Sequence, residues 1–332
     1  MKAIYLRRGV ECMKWLLGID IGGTTVKMAV LDMNGIISDK WEIKTDIRDN
    51  GVHIPTDIAA SFEAYLQQSG KAKQDFAGAG IGAPGFINFS EGVVEYSPNI
   101  GWKNFELVGE FEKAVGLPAV LENDANAAAL GEMWKGAGEG ASELLAITLG
   151  TGVGGGVITN GNIVHGASGM AGEIGHITVE RDEAKAVMCG CGRKGCIETI
   201  ASATGIARLA LQKRKGRTTS LNELGEVTAR DVFEAYKAKD EVATEVVEEM
   251  TEYLGLTISN IANTLNPKMI VIGGGVSKAR QALLEPLDEQ FKRFALERVY
   301  TSTTFKIAEL ENDAGVIGCA WLARKHFLPT RV

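Results

Sequence analysis

The sequence has few of the features that mark secreted, membrane or nucleic-acid-binding proteins. Its 332 residues include only 5 cysteines. Nothing in the sequence indicates an oxidising compartment. No apolar run reaches the roughly 18 residues that a membrane helix needs. Glu11 and Lys14 interrupt the apolar stretch near the start, so we do not expect that stretch to be a secretion signal. A formal net charge of -7 without a long basic run argues against nucleic acid and anionic membranes as partners. We therefore expect a cytoplasmic protein.

Length and composition predict two domains. A chain of 332 residues that is 45% hydrophobic exceeds what one core usually organises. Residues 1 to 12 are interpreted as an upstream extension, because Met13 directly precedes the first strand-like run. Alternating strands and helices indicate an α/β protein, and the lack of a long linker predicts interleaved domains. Helices are expected over 56–69, 125–138, 202–214, 228–265, 279–297 and 314–327, and later strands over 77–87, 119–123, 268–276 and 305–310.

Two stretches share one plan. Residues 15 to 31 and residues 145 to 164 each read as two strands joined by a glycine turn and followed by an Asn-Gly hairpin signal. Asp20 aligns with Thr148, and a glycine follows two residues after each. This is weak evidence for a duplicated domain, because two similar hairpins can arise independently.

The first glycine turn has the composition of a phosphate loop. At Gly22 to Thr25 the glycines let backbone amides approach a phosphate, and the threonine hydroxyls can donate hydrogen bonds. Asp20 ends the preceding strand, and a carboxylate beside phosphates indicates Mg²⁺, which proteins often hold through water. Taken alone, the turn fits an ordinary glycine hairpin equally well.

Two further glycine turns strengthen this interpretation. Residues 150 to 155, GTGVGG, match the dinucleotide fingerprint, but a strand-like run follows them where that motif requires a helix. Gly273 to Gly275 follow a buried strand and leave room for a base or ribose. Since no G-x4-G-K-[ST] occurs, the three turns together favour ATP binding outside the P-loop class.

One short segment concentrates metal-binding residue types. Cys189, Cys191 and Cys196 follow the pattern C-x-C-x4-C, and His176 is the only histidine close to them in sequence. One nitrogen and three thiolates would complete a tetrahedral structural zinc site. A disulfide pair or a reactive thiol is the alternative, but the glycines between the cysteines allow the tight turns of a metal knuckle.

Asn123 and Asp124 precede an alanine-rich segment that favours a helix. Either residue could simply cap that helix. Alternatively, Asp124 is a general base, because a helix N-terminus favours the ionised carboxylate that accepts a hydroxyl proton during phosphoryl transfer. Both interpretations hold if Asn123 or a backbone neighbour serves as the cap.

Five motifs occur in order along the chain. They are D-x-G-G-T-x-x-K at Asp20 to Lys27, E-N-D-A-N-A at Glu122 to Ala127, L-G-T-G-V-G-G-G at Leu149 to Gly156, E-I-G-H at Glu173 to His176 and C-x-C-G-x-x-G-C-x-E at Cys189 to Glu198. Together they resemble the ROK family of bacterial sugar kinases and repressors, and most closely its ATP-dependent glucokinases. The resemblance implies an actin-like ATPase (ribonuclease H-like) fold, with two α/β domains around a central cleft, and a homodimer. The smaller domain would comprise 14–122 plus 313–330, and the larger one 123–312.

The resemblance also implies a role for each motif residue, with Asp124 as the catalytic base. The sugar contacts would be Gly85, Asn99, Asn123, Asp124, Glu173, His176 and Glu198. The ATP contacts would be Asp20, Gly22, Gly23, Thr24, Lys27, Thr151, Gly152, Gly274 and Gly275, although Lys27 fits a structural or solvent-facing lysine equally well. The zinc ligands would be His176, Cys189, Cys191 and Cys196. One ring nitrogen of His176 would bind zinc while the other faces the sugar.

The implied activity is phosphorylation of the 6-hydroxyl of D-glucose by MgATP. The alternatives are a sibling kinase for N-acetylmannosamine, fructose, mannose or allose and, less favoured, a sugar-responsive repressor. Family repressors carry an N-terminal winged-helix domain, and we expect none here because only about 13 residues precede the first strand. The insertion RDEAKAVM before Cys189 is expected to loop out. Removing zinc is expected to weaken glucose binding with little direct effect on contacts to ATP.

Overall fold

The computed structural model describes residues 14–328. The predicted upstream extension, residues 1 to 12, lies outside the described residues, as do positions 329 and 330 of the predicted smaller domain. Of the described residues, 14–131 and 315–328 form one unit, and Glu132–Ala314 form the second. We call them unit 1 and unit 2. The domain limits expected from the sequence, 122/123 and 312/313, stay a prediction.

Strands and helices alternate along the described chain, as the sequence predicts. The strands are β1 (Trp15–Ile21), β2 (Thr25–Leu31), β3 (Ile37–Lys44), β4 (Phe76–Ala83), β5 (Phe86–Asn88), β6 (Val93–Ser97), β7 (Trp102–Phe105), β8 (Ala119–Asn123), β9 (Leu144–Leu149), β10 (Val153–Thr159), β11 (Asn162–Ile163), β12 (Met269–Gly273) and β13 (Thr304–Ile307). The helices are α1 (Ile54–Ser69), α2 (Leu107–Val115), α3 (Asp124–Lys135), α4 (Glu198–Ala201), α5 (Ala203–Lys213), α6 (Ala229–Lys237), α7 (Glu241–Leu265), α8 (Gln281–Phe294), α9 (Glu297–Ser302) and α10 (Ala314–Phe327). Among the described residues, no helix combines the length and apolarity required to span a membrane.

Unit 1 contains a five-stranded sheet in the order β3-β2-β1-β4-β8. The first three strands are antiparallel neighbours, whereas β4 lies parallel to β1 and β8 lies parallel to β4. Leu17, Ile19 and Met28 are fully buried, and they pack in one core with Phe62 of α1 and Phe111 of α2. A second small sheet, β5-β6-β7, completes the unit.

Glycines in the unit 1 sheet let α10 lie directly on it. A Cβ at Gly18 of β1 would collide with the carbonyl oxygen of Val316, and a Cβ at Gly80 of β4 would collide with that of Cys319. The same packing brings the start of α10 to the end of β1, where a Cβ at Gly315 would lie 2.6 Å from Oδ2 of Asp20. The fold therefore fixes the surroundings of Asp20.

Unit 2 contains its own five-stranded sheet, in the order β11-β10-β9-β12-β13. Its first three strands are antiparallel neighbours, and β12 lies parallel to both β9 and β13. The core joins Ile147 of β9 and Ile270 of β12 to Met250 of α7 and Leu287 of α8, all fully buried.

The two sheets have the same topology. Counted along the chain within each five-stranded sheet, the strand order is third, second, first, fourth, fifth, and the pattern of antiparallel and parallel neighbours is identical. The similarity between residues 15 to 31 and residues 145 to 164 therefore accompanies a repeated topology. This finding strengthens the evidence for a duplicated domain.

Several elements differ from those expected from sequence, and the helices α2 and α9 were not predicted. The helix expected over 228–265 is two helices, α6 and α7, because Lys239 adopts a left-handed φ of 63° and Asp240 caps α7 by accepting the N–H of Ala243 at 3.0 Å. The small sheet β5-β7 was not predicted, since its strands are short and Gly92 and Gly101 interrupt the local pattern.

Candidate functional site

The first glycine loop connects β1 to β2 in unit 1. The N–H of Gly22 donates to the carbonyl of Thr25 at 2.9 Å. Thr45 holds the loop from the end of β3, because its hydroxyl donates to the carbonyl of Gly22 at 2.7 Å and its N–H donates to that of Thr24 at 2.9 Å. Within the described chain, the N–H groups of Gly23 and Thr24 donate to no protein acceptor. The loop therefore offers two amides to an anion.

Asp20 and Lys27 face each other across β1 and β2 as register partners. Burial raises the pKa of Asp20, and the charge of Lys27 offsets part of that rise. Asp20 is half-buried near Gly82 and Gly315, where a Cβ would lie 3.7 Å from Oδ1 and 2.6 Å from Oδ2, respectively. A cation near this carboxylate would favour its ionised form, which is consistent with the magnesium role that remains a prediction.

Asp124 lies where β8 ends and α3 begins. Asn123 caps the helix, since its Oδ1 accepts the N–H groups of Ala125 at 2.9 Å and Asn126 at 3.3 Å. The N–H of Ala125 also donates to Oδ1 of Asp124 at 2.9 Å. The capping interpretation is thus confirmed for Asn123. It is compatible with Asp124 as a base at a helix N-terminus, where the ionised carboxylate is favoured.

Sequence reasoning missed Glu122, the buried carboxylate next to this junction. Glu122 is 1% exposed, and its Oε1 accepts the N–H of Asn123 at 2.9 Å and Nδ2 of Asn126 at 3.0 Å. These bonds fix the transition from β8 to α3. The available signal was the spacing of Glu122 and Asn126, four residues apart at the start of a helix.

Unit 1 also positions the two sugar-contact candidates outside this junction. Gly85 accepts a hydrogen bond from Nδ2 of Asn123 at 3.5 Å. It must be glycine, because its φ is 116° and a Cβ would collide with the carbonyl oxygen of Tyr96. Asn99 is exposed and lies beside the first loop, since a Cβ at Gly23 would be 3.7 Å from its own Cβ. Their contacts with a sugar stay predictions.

The second glycine loop connects β9 to β10 in unit 2. The N–H of Gly150 donates to the carbonyl of Gly152 at 3.0 Å. In the described part of the chain, the N–H groups of Thr151 and Gly152 have no protein acceptor. This loop therefore also offers two amides, and the strand that follows it confirms that it is not a dinucleotide fingerprint.

The third glycine turn lies against the second loop. Gly274 follows β12 with a φ of 84°, and a Cβ there would collide with the backbone of Leu149, which directly precedes Gly150. The hydroxyl of Ser277 donates to the carbonyl of Gly274 at 2.8 Å. Gly274 and Gly275 are both exposed. The structure thus brings the predicted adenosine segment next to the second phosphate loop.

The predicted zinc ligands of unit 2 converge. One ligand atom from each of His176, Cys189, Cys191 and Cys196 lies within 4.8 Å of all the others. Nδ1 of His176 is 3.6 Å from Sγ of Cys189, and Sγ of Cys191 is 3.7 Å from that of Cys196. Zinc bond lengths of about 2.1 Å to nitrogen and 2.3 Å to sulfur would give tetrahedron edges of about 3.6 and 3.8 Å. The donor set and its dimensions fit Zn²⁺.

The knuckle that carries these ligands is a short hairpin. The N–H of Cys189 donates to the carbonyl of Arg193 at 2.8 Å, and Thr178 forms an antiparallel bridge with Cys196. Gly195 has a φ of 75°, and a Cβ there would collide with the carbonyl oxygen of Glu180. The first part of the insertion loops out as predicted, because residues 181–185 are all exposed. Its end instead joins the hairpin, since Met188 forms an antiparallel bridge with Lys194.

The cysteines are thiols rather than a disulfide pair. Burial raises the pKa of Cys189, whereas the backbone N–H of Arg193 lowers the pKa of Cys191. Zinc binds thiolates, so a bound cation would have to overcome the cost of ionising the buried sulfur of Cys189.

The predicted sugar wall lies on this knuckle. His176 points Nδ1 to Cys189, and its Nε2 is 3.8 Å from Oε2 of Glu173, so the two ring nitrogens face different groups as expected. Glu198 accepts the thiol of Cys189 on Oε1 at 3.4 Å and the N–H of Val153 on Oε2 at 3.1 Å. The second contact was not predicted. It joins the knuckle segment to the second glycine loop, so we now expect removal of zinc to act on that loop as well as on the sugar contacts.

Known proteins resemble this chain along nearly its whole length. The chain is 51% identical to the glucokinase of Halalkalibacterium halodurans over 317 residues, which cover 94% of this chain and 96% of that protein. It is 34% identical to the glucokinase of Thermotoga maritima, with coverage of 93% and 97%. A solved ROK family glucokinase from Streptomyces griseus, in complex with glucose and AMPPNP, gives a TM-score of 0.73 at 32% identity. That comparison covers 93% of this chain and 99% of the other.

The structural similarity confirms the actin-like ATPase fold predicted from the sequence. The paired five-stranded sheets are the elements of unit 1 and unit 2 that carry this fold. The match to the ROK family extends over residues 16–326. The chain therefore belongs to the ROK family.

Proposed function

We propose that this protein transfers the γ-phosphoryl group of MgATP to the 6-hydroxyl of D-glucose. The bond from O6 to phosphorus forms as the bond from phosphorus to the β,γ-bridging oxygen breaks, and the products are glucose 6-phosphate and ADP. The hydroxyl proton passes to the carboxylate of Asp124. The observation that carries this proposal is Asp124 at the start of α3, next to a helix cap that Asn123 supplies.

In this reaction unit 1 contributes the base and one phosphate loop. Because Asn123 caps the helix and Glu122 fixes the junction, Asp124 is held at a helix N-terminus that favours its ionised form. The amides of Gly23 and Thr24 would donate to phosphate oxygens. Magnesium bound near Asp20 would neutralise phosphate charge. Gly85, Asn99 and Asn123 are the proposed sugar contacts of this unit.

Unit 2 contributes the second phosphate loop, the adenosine segment and the sugar wall. Thr151 and Gly152 would donate amides to the phosphates, and Gly274 and Gly275 would pack against the nucleoside. Glu173, His176 and Glu198 would accept or donate hydrogen bonds to the remaining sugar hydroxyls. Bound zinc would fix the ring orientation of His176 and thereby the nitrogen that faces the sugar.

Replacing the base tests the mechanism. Asp124→Ala should lower kcat by about 10³-fold, because loss of a general base typically costs 10²- to 10⁴-fold, while glucose affinity stays within a few fold. Steady-state kinetics and calorimetric glucose titration measure the two effects. Asp57→Ala, in the first turn of α1, is the matched control and should keep wild-type kinetics. Near-normal turnover in Asp124→Ala would exclude this mechanism.

A sugar and donor panel tests the substrate. We propose glucose because the 51% identical relative is a glucokinase, but sites that read hydroxyls can discriminate by about 10⁴-fold, so each sibling sugar must be assayed. The panel comprises glucose, N-acetylmannosamine, fructose, mannose and allose, with ATP and with polyphosphate as donors. Glucose with ATP should give the highest kcat/KM, and a preference for an N-acetylated sugar would overturn the assignment.

We also propose that the protein works in the cytoplasm as a homodimer. Three free cysteines that converge with a histidine need a reducing compartment to stay available to zinc. The homodimer rests on the likeness to family glucokinases. Sedimentation of the zinc-loaded protein should give about twice the 35.4 kDa chain mass, and a single-chain mass would contradict this state.

A further inference from the structure

Three residues at the starts of α4 and α5 form hydrogen bonds at the second glycine loop. The N–H of Ala203 donates to the carbonyl of Gly150 at 2.8 Å, and the hydroxyl of Thr204 donates to that of Thr151 at 3.0 Å. The third contact is different in kind, because a carboxylate oxygen of Glu198 accepts the N–H of Val153 at 3.1 Å. Of these contacts, only the one from Glu198 fixes a backbone N–H, that of the first residue of β10, rather than a loop carbonyl.

Glu198 is packed against the loop as well as hydrogen-bonded to it. A Cβ at Gly152 would collide with Oε2 of Glu198. The carboxylate therefore occupies the space that a side chain at position 152 would need. The other oxygen, Oε1, lies 3.4 Å from Sγ of Cys189, a ligand of the knuckle. One side chain therefore touches both the metal knuckle and the loop that offers the amides of Thr151 and Gly152.

We propose that Glu198 is a positioning residue for the second phosphate loop, in addition to its sugar contact, so that nucleotide affinity depends on it even without sugar. By holding the N–H of Val153, the carboxylate restricts the two preceding peptide units, whose amides are the phosphate donors. A sugar hydroxyl that binds Glu198 contacts the same group that holds the loop. Sugar and nucleotide binding are then coupled through one carboxylate. This inference rests on the proposed function.

Two effects of Glu198 on a nucleotide oppose each other. Its negative charge repels phosphates, whereas its bond to Val153 organises the loop that binds them. Two substitutions separate the effects. Glu198→Asp keeps the charge but shortens the side chain, so the bond to Val153 is lost. Glu198→Gln keeps the length and an oxygen that accepts this N–H, and it removes the charge.

The experiment is calorimetric titration of magnesium AMPPNP into full-length, zinc-loaded protein without sugar. Glu198→Asp should weaken binding about tenfold, because the variant loses the charge-assisted hydrogen bond that organises the loop. Glu198→Gln should bind within about twofold of wild type or more tightly. Amide hydrogen exchange at Val153 should be faster in Glu198→Asp and unchanged in Glu198→Gln. Zinc content and thermal unfolding establish that both variants are folded.

Glu173→Asp is the matched control, since Glu173 is also a carboxylate beside a zinc ligand and a proposed sugar contact. It should lose glucose affinity and keep nucleotide affinity. Wild-type nucleotide affinity in Glu198→Asp, or equal weakening in both Glu198 variants, would overturn the proposal. If the wild type itself binds no AMPPNP, the proposed function fails, and exchange at Val153 still tests the contact separately.

Discussion

The two glycine loops that we propose as phosphate-binding loops have the same place in two sheets of the same topology, but different groups hold them. In unit 1, Thr45 from the neighbouring strand donates to two loop carbonyls, and it is 4% exposed. In unit 2, Glu198 accepts the N–H of Val153, the residue directly after the loop, and its second oxygen contacts Cys189 of the knuckle. The first loop therefore depends on ordinary sheet packing, whereas the second depends on a segment that contains a metal site.

This difference separates what the repeated fold supplies from what each unit adds. The repeated hairpin supplies glycine amides in both units. Unit 1 adds Asp20 before its loop, where unit 2 has Thr148 at the aligned position. Unit 2 adds the knuckle, which brings the sugar-contact candidates next to its loop. Disrupting the zinc site should therefore affect the second loop and spare the first.

Loss of a zinc ligand should have the largest effect. Cys196 is fully buried, and Cys196→Ser should abolish zinc binding and lower the stability of unit 2, since structural zinc contributes on the order of 10 kcal/mol in zinc-finger peptides. Glucose and nucleotide affinities should both fall at least tenfold. Hydrogen exchange should accelerate at the hydrogen-bonded amides of Gly150 and Val153 and stay unchanged at that of Gly22.

Cys319→Ala is the control for this change. It removes a buried cysteine of unit 1 that is not a knuckle ligand, and it should keep one zinc per chain and slow exchange at the bonded amides of Gly150 and Val153. Equal acceleration of hydrogen exchange in both loops of Cys196→Ser would show that the two loops are not held by different groups.

Asp20→Asn should have opposite effects on activity and stability. Burial raises the pKa of Asp20 from its ordinary value of 3.8, so ionised Asp20 destabilises the folded state at neutral pH. That cost is absent below the unfolded pKa and appears as the pH rises through the folded pKa. Without nucleotide or magnesium, Asp20→Asn should therefore unfold at higher denaturant concentration than wild type at pH 7, and the difference should shrink as the pH falls toward 3.8. Activity should fall about 10²-fold. A variant less stable than wild type at pH 7 would contradict the claim that ionised Asp20 destabilises the folded state.

Thr45→Val should have the smallest effect. It removes the hydroxyl bond to Gly22 and keeps the shape of the side chain and the backbone bond to Thr24. The cost should be about 1 kcal/mol in unfolding free energy, typical of one hydrogen bond, with nucleotide affinity weakened less than in Glu198→Asp. Chemical denaturation and AMPPNP titration measure both. A larger loss of nucleotide affinity in Thr45→Val than in Glu198→Asp would show that nucleotide binding depends more on Thr45 than on Glu198.

The sequence predicted features whose cause is local and missed those that join distant residues. The glycine turns, the alternation of strands and helices, and the helix cap at Asn123 follow from neighbouring residues. The knuckle ligands were found because cysteine and histidine have few common uses in such a pattern. The contact of Glu198 with Val153 spans 45 residues, and that of Thr45 with Gly22 spans 23. Neither has a sequence signal, because backbone groups are the partners and every residue supplies them.

The knuckle segment that holds the second glycine loop requires zinc bound by one nitrogen and three sulfur atoms. Zinc K-edge X-ray absorption of the purified protein measures that shell directly. We predict one zinc per chain, with three sulfur ligands at about 2.3 Å and one imidazole nitrogen at about 2.1 Å, supplied by Cys189, Cys191, Cys196 and His176. A protein that carries no zinc, or zinc in a shell of oxygen ligands, would contradict the account.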